Sequence, residues 1–353
     1  MAALVELSGC NVIERDTNGD VLWTWTYPSV STTQQSLVLR KCGLEGEHTS
    51  VQPFVYGQLG KTWYYINCTE VFDSDNLPRV AQFALVLWAK DFSPEKYETL
   101  CRILSKTYCK TGNPATMLQL YLSVVTRGSC TTEENGTFLA RDFESRSNTS
   151  GHTNLKELVQ TFGLESILIY TALLLKKRII VYHHSLGSLL AWVRTFPSMM
   201  THRRGYDYLF PWVDLAQDEI LELKSSPWYI AGSRDSGIGS RTDLYDVLVN
   251  VPAREITVAP HAKESMVMTK SHRDIAVFMV QLAGSEEVTE LHLIREIADK
   301  TKELLDQLRT LATVKTPEGK LMVSIESIRE KNLPPALDNF LFNLAIAENL
   351  IML

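Results

Sequence analysis

The sequence predicts an α/β protein with an α+β N-terminal part and a helical C-terminal third. Three observations carry that prediction. First, Phe162 to Gly187 reads as helix, strand, helix. Ile167 to Leu175 is almost wholly apolar, the cations Lys176, Lys177 and Arg178 follow, and then come the β-branched run Ile179-Ile180-Val181 and a turn at His183-His184-Ser185. A strand with no polar face is covered on both sides, as in a parallel or mixed sheet flanked by helices. Second, the first 128 or so residues read as antiparallel strands followed by two helices. Third, a long apolar stripe at helical spacing occupies Glu287 to Thr313.

The elements follow in order. Asp16-Thr17-Asn18-Gly19-Asp20 has the composition of a turn, because Asn-Gly accepts positive φ. Val21 to Tyr27, VLWTWTY, is a strand. Strict alternation puts Val21, Trp23, Trp25 and Tyr27 on one face and Leu22, Thr24 and Thr26 on the other. Pro28 ends the ladder. Trp23 is expected inside. Trp25 and Tyr27, at the strand's end, are the candidate partner-binding residues, since aromatics carry much of the energy of interfaces; the alternative is burial under the two N-terminal helices. Phe54 to Gln58 and Thr62 to Cys68 flank Gly60-Lys61 and read as a hairpin. Val80 to Trp88 is a long apolar strand. Ser93-Pro94 and Asn113-Pro114 each start a helix, the first reaching about Tyr108 and the second Gly128. Gly128 to Asn154 is polar and reads as a linker.

Ser185 can cap a helix over Leu186 to Thr195, whose Leu189, Leu190, Trp192 and Val193 lie on one side. The apolar run before the cations is too short to span a bilayer, which takes about 20 residues, so a buried helix is expected. Ser233 to Thr242 reads as a second flexible loop. In the last third, Leu291, Ile294, Ala298, Leu305, Leu308 and Ala312 recur at coiled-coil spacing, with Thr301 as the weak position, and Ile297, Leu304 and Leu311 form a stripe beside them. So wide a face suits packing on a domain. Phe340 to Leu350, behind Pro334-Pro335, reads as a closing helix.

Composition sets bounds on function. The 353 residues are 45% hydrophobic and 22% charged, those of a soluble globular chain long enough for two cores. A net charge of -6 argues against nucleic acid as the main partner and against a strongly basic membrane patch. No signal peptide or transmembrane segment is expected. The six cysteines, at 10, 42, 68, 101, 109 and 130, form no CxxC and read as reduced thiols. The sequons at Asn67, Asn135 and Asn148 are read as chance matches. Gly232, Gly237 and Gly239 lack the Gly-Lys-Ser/Thr of a phosphate loop, because Ile238 follows Gly237. No catalytic residue, metal site or cofactor site is expected; His183 and His184 have no third ligand at recognisable spacing.

Leu173 to Val193, LLLKKRIIVYHHSLGSLLAWV, resembles the central segment of DENN domains. Tyr208 to Val213 sits where that family has an aromatic strand ending in proline. Pro227 to Gly232 resembles its Pro-x-Tyr-x-x-Gly strand, and Asp243 to Val251 the strand that closes its central sheet. The order and spacing agree. The resemblance implies a longin-like module over 1–128, a linker over 129–154 and a DENN α/β core with C-terminal helices over 155–353. It also implies a guanine nucleotide exchange factor for a Rab GTPase in late endosomal and vesicle trafficking, cytoplasmic and peripheral to late endosomes, bound to the nucleotide-free or GDP form of the Rab. The alternative is a non-catalytic subunit of an endosomal sorting assembly on coiled-coil partners. Some longin–DENN proteins activate GTPases through an arginine near the start of the first longin helix. Here that place reads Asp91-Phe92-Ser93-Pro94-Glu95-Lys96, with no arginine until Arg102.

Overall fold

A computed structural model of the chain describes residues 6–45, 52–72, 74–134, 136–144, 153–315 and 321–351. The chain divides into two compact units, Met1–Gly151 and His152–Leu353.

The first unit runs β1 (Leu7–Asp16), β2 (Val21–Tyr27), α1 (Thr32–Cys42), β3 (Phe54–Leu59), β4 (Thr62–Glu70), β5 (Val80–Ala89), α2 (Pro94–Thr111), α3 (Pro114–Arg127), β6 (Ser129–Thr132) and β7 (Gly136–Leu139). Strands β1 to β5 form one antiparallel sheet in the order β2-β1-β5-β4-β3. The turn expected at Asp16–Asp20 is present; the Asp16 carboxylate accepts from the backbone N–H of Asn18 and Asp20 at 2.8 and 2.9 Å. The Gly60-Lys61 hairpin is present too, with Leu59 opposite Thr62. β5 lies at the centre and is buried from Phe83 to Ala89. α1 covers one face of the sheet, where Cys68 Sγ meets the carbonyl of Cys42. α2 covers the other, with Tyr97 on Tyr65 and Tyr108 on Phe83.

Three expectations change here. α1 is an additional helix, started by a capping box in which Ser31 and Gln34 serve each other's backbone N–H. Ser93 stands at the start of α2, but its side chain makes no capping bond; Asn113 does cap α3, accepting from Ala115 N at 2.9 Å. The polar stretch after Gly128 begins as the β6–β7 hairpin, with Cys130 and Phe138 buried, so only its later part lies outside the elements described.

The second unit runs α4 (Leu155–Phe162), a 3₁₀ turn at Gly163–Glu165, α5 (Ser166–Leu174), β8 (Ile179–Tyr182), α6 (Leu186–Thr195), β9 (Leu209–Val213), α7 (Gln217–Ser225), β10 (Ile230–Ser233), β11 (Val247–Asn250), β12 (Glu255–Val258), α8 (Lys270–Gly284), α9 (Glu290–Thr310), β13 (Ala312–Lys315), β14 (Leu321–Val323), α10 (Ile325–Arg329) and α11 (Pro335–Ala347). β8 is the middle of a mixed sheet ordered β12-β11-β8-β10-β9, parallel except for β12. Ile179, Ile180 and Val181 are fully buried, as an apolar strand covered on both faces requires. Gly232 of β10 allows α6 to sit close: a Cβ there would lie 2.2 Å from Pro211 O and 2.9 Å from Val193 Cγ2. β11 is interior, not closing; the edge belongs to β12.

Leu155–Leu174 is 20 residues long and apolar enough to cross a bilayer by length and composition, longer than the run before the cations suggests. Its middle is broken by the Gly163 turn, and Leu158, Val159, Ile169, Tyr170, Leu173 and Leu174 are buried, which is the pattern of a core helix. Its ends are fixed by distant residues. The Glu290 carboxylate accepts from the N–H groups of Leu155 and Lys156 at the start. Arg203 donates to the carbonyls of Leu173 and Leu174 at the finish and to the Glu348 carboxylate. Of the three consecutive cations, Arg178 turns elsewhere and binds Asp246 at 2.9 Å. Ser185 precedes α6 without a side-chain capping bond; its N–H donates instead to His183 Nδ1 at 2.9 Å. The loop after β10 is anchored by Ile238, 1% exposed in a 3₁₀ turn. α9 buries Leu293, Ile294, Ile297, Thr301, Leu304, Leu305 and Leu308. Leu291, expected in the seam, is 43% exposed. Members of both stripes, Ile294, Leu305 and Leu308 of one and Ile297 and Leu304 of the other, are buried together as one wide face, and Thr301 is no flaw in it: its hydroxyl meets Tyr170 OH at 2.9 Å.

Candidate functional site: the aromatic edge of the first unit

Among the described residues β2 is an edge strand, paired with β1 alone. Its register breaks strict alternation. Trp25 is opposite Val12, yet Trp23 is opposite Ile13, so Thr24 is an extra residue at a β-bulge. Val12 and Ile13 are neighbours in β1 and point to opposite faces, and so do their partners. Ile13 pairs with Ala84, and Ala84 with Cys68, on the α1 face. Trp23 therefore lies there, half-buried, and not beside Trp25 and Tyr27. The expected stripe of four is split in two.

Trp25 and Tyr27 remain together. Their rings stack at 6.5 Å with 13° between planes. Tyr27 also meets the buried Tyr121 of α3 edge-on at 6.0 Å. Trp25 is half-buried and Tyr27 is 40% exposed. Leu122 and Val125, the residues next to the buried positions Tyr121 and Val124, are exposed on α3. Tyr121 thus holds the aromatic pair from behind, and α3 carries exposed apolar side chains of its own. Tyr121, Leu122 and Val125 were not singled out from the sequence. The signal available was the run of apolar residues on more than one side of α3, which exceeds what one buried face needs.

The remaining candidates resolve into packing. Lys96 is buried and ion-paired with Asp91 at 2.5 Å, and Tyr97 donates to the same carboxylate; a side chain so held is not one to insert into a partner. Arg102 is exposed further along α2. Burial pushes up the thiols of Cys10, Cys68 and Cys101, and that of Cys42 to about 11, so these cysteines are apolar filling and not nucleophiles. His183 and His184 stack at 4.5 Å. Burial, then its neighbour's charge, lowers the pKa of His183. Among the described residues no group of three His, Cys, Asp or Glu is placed to hold a metal ion.

A family model described as "SPA: Stabilization of polarity axis" matches residues 152–260, beginning where the second unit begins and ending just after β12. Over nearly its whole length the chain is similar to DENN domain-containing protein 10. Identity is 43% with the Homo sapiens protein, covering 97% of this chain and 96% of that one. It is 41% with the Mus musculus protein, covering 99% of each. It is 34% with that of Dictyostelium discoideum, covering 99% of this chain and 100% of the relative.

Proposed function

The chain belongs to the DENN family, and from that premise we propose that it is a guanine nucleotide exchange factor for a Rab GTPase. The observation that carries the reading is similarity along both units, so that the longin-like sheet and the DENN core come together in one chain. Exchange needs no nucleophile and no proton transfer. A Rab holds GDP through its phosphate loop, Mg²⁺ and switch segments. A partner that grips the switches in an open arrangement weakens that hold, and GDP weakens the partner's grip by the same factor. The tightest complex is thus with the nucleotide-free Rab. In this reading Trp25 and Tyr27 are contacts for the partner, and the chain works at the cytoplasmic face of late endosomal membranes, without a cofactor.

The exposed apolar residues of β2 and α3 favour a second reading, a binding subunit of an endosomal sorting assembly. Tyr27, Leu122 and Val125 offer the anchors that the apolar face of a coiled-coil helix meets.

One experiment tests both. The chain is presented to a panel of Rab GTPases in the nucleotide-free, GDP and GTP states and to coiled-coil sorting proteins, with Tyr27→Ala alongside. Enrichment of one Rab in the nucleotide-free state, with faster release of its GDP, is the expected result; equal retention in all three states sinks exchange. Tyr27 is partly exposed, so its truncation should move the melting temperature little, whereas a core aromatic would cost ~3–5 kcal/mol. Loss of an interface anchor should weaken binding by ~2 kcal/mol, about thirtyfold. The partner so weakened tells exchange from scaffolding.

A further inference from the structure

The stripe of α9 that holds Leu304 continues to Leu311, just past the end of the helix. At that end lies a cavity of about 340 Å³. Leu304 and Leu311 line one side of it, and Leu337, Phe340 and Leu341 of α11 another. All of these but Leu337 are buried. Protein interiors leave few voids larger than a water molecule. A space of this size falls instead in the range of small-ligand sites, ~300–1,000 Å³, which are walled mostly by apolar and aromatic side chains. Such walls take up apolar molecules in preference to water.

The remaining wall is a turn that carries one cation. α10 ends at Arg329 and α11 begins at Pro335. Between them Asn332 takes φ +49, the left-handed conformation that asparagine enters more readily than most residues. Pro335 then fixes the entry to α11. The reversal leaves both Lys331 and Leu333 on the cavity. Among the described residues Lys331 is the charged group in the lining, and its ammonium has no hydrogen-bond or ion-pair partner. Cations of α9 are placed differently: Lys300 meets Glu303 at 2.9 Å and Arg309 meets Asp306 at 2.8 Å. Gln307 and Lys331 are the exposed side of the lining.

A second observation comes from next to Phe340. His272 is 1% exposed, its ring meets Phe340 nearly perpendicular, and its neighbour Ser271 lines the cavity. Its Nδ1 accepts from the Thr269 N–H at 3.1 Å, so the ring hydrogen sits on Nε2, which has no acceptor. A buried donor left so costs ~1–3 kcal/mol, and native interiors hold few of them. The chain alone thus leaves this end of the second unit incompletely packed, in apolar contact and in hydrogen bonding alike.

We propose that the cavity binds a single-chain anionic amphiphile, its apolar chain against Leu304, Leu311 and Leu341 and its one carboxylate or phosphate on Lys331. Each methylene so buried contributes ~0.8 kcal/mol. The space is larger than one side chain fills and too small for a lipid with two tails. A single free cation on an otherwise uncharged lining suits a single negative head. The site lies within the second unit and stands or falls without the exchange reading.

The test titrates the full chain with decanoate, decyl phosphate and decanol, each kept below its micelle concentration or solubility limit, and reads binding by calorimetry. Saturable uptake of one decanoate or one decyl phosphate per chain is expected; either head fits, and the tighter one identifies the class of ligand. Lys331→Gln should weaken both anions about fivefold and leave decanol unchanged. Leu337→Trp fills the cavity and should abolish binding of all three while the melting temperature holds; should it fail to fold, Gln307→Trp on the exposed side carries the same comparison. Uptake that does not saturate, a Lys331→Gln variant that binds the anions as the parent does or loses decanol equally, or undiminished binding by the filled variant overturns the proposal.

Discussion

His272 is 1% exposed near the start of α8, where its Nδ1 accepts from the Thr269 N–H at 3.1 Å and its ring meets Phe340 of α11 at 4.4 Å, nearly perpendicular. Burial lowers its pKa to about 4. Free histidine titrates near 6.5. As pH falls below about 6.5 the unfolded chain takes up a proton that the folded chain refuses, so stability drops until about pH 4 and levels where both forms are charged. His272→Gln keeps an acceptor at the third helical position and removes the proton. Across that pH range the melting temperature of the variant should fall less steeply, by the equivalent of roughly 2–3 kcal/mol; an identical slope would show that His272 titrates normally. Nothing in the sequence marked this residue. Tyr27 was legible, because Pro28 announces the strand's end. The placing of Trp23 was not: the bulge at Thr24 is decided by what β1 offers across the ladder, and a strand read alone cannot report its partner.

At the scale of elements, the strongest periodicities survived and their neighbours' claims did not. β8 was legible because an apolar strand has one environment open to it. Ile180→Asp would bury an unpaired charge at a fully enclosed position; the protein should not accumulate folded, and a soluble variant with a cooperative melt would refute the central-strand assignment. α9 was legible as a helix with a wide apolar face, but the edge of that face was not, since Leu291 fits the spacing and yet lies outside it, while Leu293 lies within. Leu293 is 0% exposed and Leu291 43%. Leu293→Ala should therefore cost ~2–5 kcal/mol and Leu291→Ala within about half a kcal/mol, read as two denaturant midpoints; comparable losses would place Leu291 inside the packed face. α1 was missed although Ser31 and Gln34 spell a capping box, because its helix carries few apolar residues to set a period.

At the scale of the molecule, the two compact units meet in sequence between Gly151 and His152, inside the expected linker over 129–154 but near its far end, so that the first unit runs on past Gly128. The β6–β7 hairpin explains the difference: four-residue strands rich in Ser, Thr and Gly have the composition of a linker and fold only because Cys130 and Phe138 find cover. Limited trypsin digestion should cut first in the polar stretch over 129–154, whose composition is that of a linker, and leave two fragments that resist further cleavage. The loop over 233–242 should yield later, since Ile238 pins it. First cleavage inside Leu155–Val193 would contradict the core assignment.

Arg203 joins residues made at very different times. Its guanidinium closes the end of α5 and reaches Glu348, 145 positions further on. At roughly 5–20 residues per second, the ribosome takes about 7–30 seconds to supply that carboxylate. Until then the nascent second unit holds a cation where its interior is to form, with two carbonyls and no counter-charge. The first unit ends at residue 151, so its whole chain is made before the second has the means to close.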